Sequence, residues 1–456
     1  MNKKHSRYYS KSAIIALILV YIALSVASAL VTKLRCGPDE PAHFIYVREI
    51  GEHLRLPELS HVETHEISLH SSHEAHQPPL YYALAAVPYS ISRLFGAGID
   101  TSWLIVRLFT TLTGAGWVYF LYRLSSEFFR KNRYFAVLGA ACVGLMPLST
   151  YIGGVVNNDA LVSLLFTAAL WLIIKSIKRG CISRKAALQI GAVSGLAILT
   201  KSQGLFLLPL AAIAALIIAK RKGWGNSVTT VGNAVIAILF AGLVSSAWFI
   251  RNRYVCGSFI TQSLYNPMDL SNASLGLAGR IFIVQLVTTQ LFDYFWTPFW
   301  LISGFIDVMW YQKLLMVFCV FVLIGVLVHL RNSRRSKSTE FDCREDVWTF
   351  MALPGILIHI FLFRHTLWVD QGALQQGRLL LPAAGILSVA VIVAFYTLIS
   401  RPITAIIMRI TNSMKPVKYE TVQSGVNAVL GILLIIGLFA ANLSVLHGIA
   451  AYYRIH

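Results

Sequence analysis

The 456-residue chain is 56% hydrophobic and only 13% charged, and it carries a formal net charge of +19. Soluble domains do not run repeatedly for the length of a bilayer without ionisable side chains, so the composition excludes ordinary globular and disordered classes and points to a polytopic membrane protein. In such a chain the positive excess bears on sidedness, and a nucleic-acid partner is not needed to explain it.

Runs of the length that crosses about 30 Å of hydrocarbon as helix fall at 12–34, 103–123, 134–152, 159–175, 186–200, 203–219, 228–250, 313–330, 347–363, 379–399 and 423–445, which predicts eleven spans. The first reads as an uncleaved signal anchor. Directly after it stands Cys36-Gly37-Pro38-Asp39-Glu40-Pro41-Ala42-His43-Phe44, which sets adjacent carboxylates at the membrane exit. An enzyme acting on a polar group at the bilayer surface needs acid or base chemistry at that depth.

With the N-terminus cytoplasmic, eleven spans place every strongly basic loop on the cytoplasmic side. On that side fall 25 of the 39 basic and 6 of the 20 acidic residues, so the whole formal excess lies there. Two apolar stretches are therefore not crossings. A span at 79–95 would export Arg130, Lys131 and Arg133, and a span within 281–311 would export Arg331 to Lys337. The former is expected to lie along the interface or re-enter. The latter, with Trp296, Trp300 and Trp310, is expected to form an aromatic belt.

The large outer elements are then 35–102 and 251–312, with no separate soluble domain and no internal repeat. Cys36 and Cys256 both sit just outside, and two unrelated thiols is the preferred reading over a disulfide. The first loop also holds His53, His61, His65, His70, His73 and His76. Its His65 and His70 are spaced by five, which misses the spacing of four that aligns metal ligands on a helix.

Taken in order, Pro38-Asp39-Glu40-Pro41-Ala42-His43-Phe44, Gln77-Pro78-Pro79-Leu80-Tyr81-Tyr82, Asn157-Asn158-Asp159, Leu199-Thr200-Lys201 and Gln376-Gly377-Arg378 resemble the GT-C glycosyltransferase superfamily. Within it the resemblance is to bacterial predicted membrane proteins with a PDEPAHF motif and a late QGR motif. Protein O-mannosyltransferases and lipid A aminoarabinose transferases stand further off. The resemblance implies one GT-C-like domain over 1–456, an all-α bundle of about 11 transmembrane helices with amphipathic helices in the first and a later outer loop. It implies an enzyme of the plasma membrane that moves one hexosyl or pentosyl unit, with inversion, from a polyprenyl-phosphate donor to an extracytoplasmic glycan, lipid or protein acceptor. A lipid-linked sugar carrier or flippase is the alternative.

Such chemistry needs a base for the acceptor proton and cations for the leaving phosphate. Asp39 is the candidate base, with Glu40 and Asp159 as further acidic site residues; the competing reading is that each merely caps a helix start. Arg378 and Lys201 are the candidate phosphate ligands, against snorkelling cations at helix ends. His43, Gln77, Tyr81 and Gln376 are candidate substrate contacts, although many aminoarabinose-transferase relatives carry Lys where Gln77 stands. The resemblance makes no cofactor certain, since the superfamily includes metal-dependent and metal-independent members, and a divalent metal, if used, is expected at Asp39 and Asp159.

Overall fold

Hydrocarbon offers no partner to a backbone N–H or C=O, so a chain of this composition closes its hydrogen bonds within each segment as helix. The computed structural model describes residues 3–57, 73–130, 132–259, 308–335, 350, 353, 377–411 and 418–455, and every regular element among them is helical. In chain order the helices are α1 (Lys3–Val31), α2 (Glu40–His53), α3 (Leu80–Leu94), α4 (Ile99–Phe128), α5 (Arg133–Gly144), α6 (Pro147–Gly153) and α7 (Asp159–Arg179). They continue with α8 (Arg184–Thr200), α9 (Leu207–Lys222), α10 (Val228–Cys256), α11 (Val308–Arg335), α12 (Ala384–Phe395), α13 (Arg401–Thr411) and α14 (Tyr419–Ile455). Short 3-10 turns at His73–His76, Ser202–Phe206 and Gly377–Ala383 precede functional positions or follow them, and a π-helical stretch, Tyr396–Ser400, joins α12 to α13.

Among the described residues seven helical segments are long and apolar enough to cross a membrane: Lys11–Val31, Ile99–Phe128, Asp159–Arg179, Ser202–Lys222, Gly225–Val255, Arg378–Thr411 and Tyr419–Ala451. The expected span at 134–152 is not one straight helix, because α5 and α6 meet at 67°. Pro147 opens α6, and the preceding Met146 is extended at φ −64°, ψ 140°, which a proline imposes on its neighbour. The run at 186–200 is α8, whose 17 residues sit at the lower limit for a crossing. The run at 313–330 lies in α11, and most of 347–363 lies outside the described residues. The aromatic segment 281–311 is also outside them until Val308 begins α11, as are His61, His65 and His70.

The stretch at 79–95 forms a helix shorter than the seven long apolar segments. Its helix α3 has 15 residues, about 22 Å of rise, well short of the hydrocarbon thickness. Tyr81, Tyr82, Ala85 and Tyr89 bury one face, while Leu84, Val87, Ile91 and Leu94 are exposed on the other. That division suits a helix lying along the bundle with one face toward lipid.

The core is centred on α4, which packs against α1, α3, α5 and α7. Leu121, Leu124 and Phe128 of α4 meet Phe166, Leu170 and Ile173 of α7 in the main apolar cluster. A second, aromatic cluster joins α2 and α3 to the start of α4: Phe44 stacks on Trp103 and Tyr46 on Tyr82, each at 3.8 Å between ring centroids. This cluster anchors the motif-bearing helix α2 to the bundle, so the residues just before it are held on a rigid platform.

Candidate active site

Asp39 stands at the N-cap of α2 but does not cap it. Its backbone is left-handed at φ 56°, ψ 11°, and its side chain makes no capping hydrogen bond. A non-glycine residue pays for that conformation, and the return here is direction: the carboxylate is turned out of the helix axis to pair with Nη2 of Arg378.

Arg378 leaves the 3-10 turn Gly377–Ala383 and binds two loops at once. Its Nη1 donates to the carbonyl of Pro38 at 3.3 Å and lies 3.6 Å from Oδ2 of Asp159. Asp159 is the first residue of α7 and is fully buried, with its N–H given to Oδ1 of Asn157 at 2.8 Å. Lys201 completes the group by donating from Nζ to Oδ1 of Asp159 at 2.5 Å. Oδ2 of Asp159 receives no hydrogen bond among the described residues and faces Arg378 alone. Two carboxylates and two cations from four separate segments thus alternate in one cluster.

Lys201 owes its position to a helix break. It closes α8 in an extended conformation, φ −160°, ψ 145°, before the turn Ser202–Phe206 restarts the chain toward α9. That turn folds back so tightly that a Cβ on Gly204 would lie 2.4 Å from the Ile198 nitrogen and 2.5 Å from the Ala197 carbonyl carbon. Only glycine permits the approach. Gln203 then donates to the Leu379 carbonyl at 2.8 Å, tying the Lys201 turn to the Arg378 turn.

A polar strip continues from this cluster. Asn158 Nδ2 reaches the Thr200 carbonyl at 3.3 Å, the Tyr82 hydroxyl at 3.4 Å and Oε1 of Gln77 at 3.5 Å, while its Oδ1 has no partner among the described residues. The Tyr82 hydroxyl also lies 2.9 Å from Nδ1 of buried His43. Burial lowers the His43 pKa, against smaller opposing effects from Glu74 and Asp39, so the ring is neutral near pH 7.

Two expected site residues are placed elsewhere. Glu40 is fully buried, and both its oxygens are saturated by protein: Oε1 accepts from Arg107 Nε at 2.7 Å and Val156 N at 3.0 Å, Oε2 from Arg107 Nη2 at 2.7 Å and Gly37 N at 3.1 Å. It is turned away from the Asp39 cluster and anchors the loop that carries Asp39. Tyr81 is also withdrawn, because its hydroxyl bonds Thr110 on α4 at 2.6 Å and its neighbour Tyr82 takes the place facing Asn158. Gln376 lies outside the described residues.

Arg107 is the residue that motif reading overlooks. It is fully buried on α4, and its donors are spent on Glu40 and on the carbonyls of Ala29, Thr32 and Lys33 at the end of α1. One side chain therefore locks α1, α4 and the Asp39 loop together. The available signal was a single guanidinium inside an otherwise apolar span. Among the described residues no three metal-ligating side chains cluster, and Asp39 and Asp159 each face cations. Cys36 is exposed, and the side chain of Cys256 lies outside what the structure describes.

The fold is shared with solved membrane enzymes. ArnT from Cupriavidus metallidurans matches in its apo state with a TM-score of 0.54 at 16% identity, over 97% of this chain and 74% of that one. The same protein bound to undecaprenyl phosphate gives 0.52 at 16%, over 96% and 74%. The Archaeoglobus fulgidus oligosaccharyltransferase tethered to an acceptor peptide gives 0.51 at 13%, over 97% of this chain but only 55% of its own length. At these identities the likeness establishes the GT-C fold and nothing finer. No curated protein matches the chain. The sequence model of the predicted membrane proteins DUF2142 covers residues 64–387, and the chain belongs to that family.

Proposed function

We propose that the chain is an integral membrane glycosyltransferase that moves one sugar from a polyprenyl-phosphate donor to an acceptor hydroxyl or amide on the extracytoplasmic side, with inversion. The observation that carries this is the convergence of Asp39, Asp159, Lys201 and Arg378, drawn from the ends of four segments onto one depth of the bundle. Cations at helix ends bordering hydrocarbon suit the headgroup of a lipid phosphate. The undecaprenyl phosphate held by ArnT and the acceptor peptide tethered to the archaeal oligosaccharyltransferase, on the same fold, support a lipid-linked donor and a separate acceptor.

In the mechanism, the donor phosphate competes for Arg378 and Lys201 and loosens the guanidinium from Asp39. The Asp39 side chain is 37% exposed, whereas that of Asp159 is fully buried, so Asp39 is the carboxylate an acceptor can reach. Asp39 takes the acceptor proton as the acceptor heteroatom forms its bond to the anomeric carbon. The bond from that carbon to the phosphate oxygen breaks, and its electron pair leaves with the lipid phosphate, held by Arg378 and Lys201. Asp159 sits between the two cations and keeps them aimed at the phosphate. No metal is needed for this balance.

Incubation of membranes with a panel of radiolabelled polyprenyl-phosphate sugars tests the reading. The wild type should yield labelled acceptor, and Asp39→Asn should lose roughly 10²–10⁴-fold in rate while the protein still folds. Undiminished turnover by Asp39→Asn removes it from the base role; lipid-linked sugar crossing the membrane with no labelled acceptor points to a carrier instead.

A further inference from the structure

At the end of the bundle remote from Asp39, three helix ends enclose a second charged hollow. Arg123 and Glu127 come from the last turns of α4, Arg130 from the link that follows, Arg133 from the start of α5, and Lys175 and Arg179 from the end of α7. Its volume is about 310 Å³. Arg107 and Arg123 are sixteen residues apart on α4, about 24 Å by helical rise, so the two charged regions sit at opposite ends of one membrane helix.

The helix dipoles favour the cations at the ends of α4 and α7 but oppose Arg133 at the start of α5, and the positive-inside bias accounts for the sign of these residues without accounting for their convergence. Among the described residues five cations line the hollow against one carboxylate, and Glu127 is already engaged: Oε2 accepts from Arg130 at 2.6 Å and Oε1 from Trp171 Nε1 at 3.3 Å. The Trp171 ring lies against the Arg123 guanidinium at 4.2 Å and the Lys175 ammonium at 4.5 Å. Arg123 also donates to the Tyr119 hydroxyl at 2.6 Å. These contacts hold two cations over the hollow when solvation would draw them outward. An anion entering the hollow lowers the mutual repulsion of like charges gathered this way.

The surroundings indicate what bears the anion. Leu108, Leu112 and Tyr119 are exposed on α4 at spacings that continue to Arg123, giving an apolar stripe that runs from the cations toward the membrane middle. We propose that this hollow binds the phosphate of an anionic phospholipid, with an acyl chain along the stripe. It is separate from the Asp39 cluster and does not depend on the transferase reading. Guanidinium contact to phosphate oxygens supplies the binding, and the selectivity comes from net charge, because the cations of the hollow repel the choline cation of a zwitterionic headgroup and meet none in an anionic one.

The test uses the purified full chain in nanodiscs of phosphatidylcholine with increasing phosphatidylglycerol, followed by native mass spectrometry of retained lipid and by thermal unfolding. Phosphatidylglycerol should be retained selectively and raise Tm. Arg123→Gln, and separately the pair Lys175→Gln with Arg179→Gln, should weaken retention roughly ten-fold per cation. Unfolding in phosphatidylcholine alone reports whether each variant folds, and the second variant carries the test if the first does not. Equal retention of both lipids, or retention untouched by the variants, overturns the proposal. So does equal stabilisation by millimolar inorganic phosphate, which would assign the hollow to a soluble anion.

Discussion

Arg107 and Glu40 form the interaction in this protein whose loss should cost most. Both are fully buried, and breaking such a pair from one side leaves an uncompensated charge, a penalty of about 3–5 kcal/mol. Arg107→Ala should therefore lower thermal stability in detergent by that amount, whereas Arg107→Met combined with Glu40→Gln should cost less than the sum of the single changes. Lys201→Met acts differently, since it strips Asp159 of its closest cation and leaves Arg378 at 3.6 Å. The expected result is a rise in KM for the lipid donor larger than the fall in kcat, read from initial rates over donor concentration. His43 adds a pH dependence. Its folded pKa is depressed by burial, so the unfolded chain takes up a proton first. Stability from the neutral ring is complete above about pH 6.5 and is lost as pH falls from there through the folded value. A series of Tm measurements between pH 7.5 and 5 should show this decline, and His43→Gln should flatten it. None of these partners could be assigned from the motifs alone: the PDEPAHF run offers Asp39 as base and Glu40 as a further site residue, and the structure turns Asp39 to Arg378 and Glu40 to Arg107.

At the scale of the elements, the site depends on where helices stop. Lys201 and Gly204 interrupt what would otherwise be a continuous apolar run from α8 into α9, and the interruption is what gives Lys201 its place beside Asp159. Gly204→Ala would press a methyl against the backbone of Ala197 and Ile198, and overpacking of that kind costs about 1–3 kcal/mol. The turn must shift, so activity should fall further than stability does, which parallel measurement of Tm and transfer rate would show. The same logic explains the bend at Pro147, which breaks an apolar run that hydropathy reads as one span. Hydropathy marks the break at Lys201, where a charge interrupts the apolar run, but is blind to the bend at Pro147, because an apolar run looks alike whether it is straight or folded back.

Across the whole molecule, charge is sorted by end. The cluster of Arg123, Arg130, Arg133, Lys175 and Arg179 lies opposite the Asp39 site along α4 and α7, as the positive-inside rule expects if the site faces outward. Two exposed thiols allow that orientation to be measured: Cys36 beside the site and Cys181 at the other end. In cells expressing chains with only one of them, an impermeant maleimide should label Cys36 at once and Cys181 only after permeabilisation, and the reverse pattern would invert the topology. The amino-acid sequence by itself determined the all-helical membrane class and which loops hold Asp39, Asp159, Lys201 and Arg378, because hydropathy and local motif are written residue by residue. Only the tertiary structure decided that Glu40 is locked to Arg107, that Tyr82 and not Tyr81 faces the polar strip, and that Arg378 spans both carboxylates. Those partners lie up to several hundred residues apart along the chain, and a hydrogen bond's direction and reach are set by how helices pack, which no local stretch encodes.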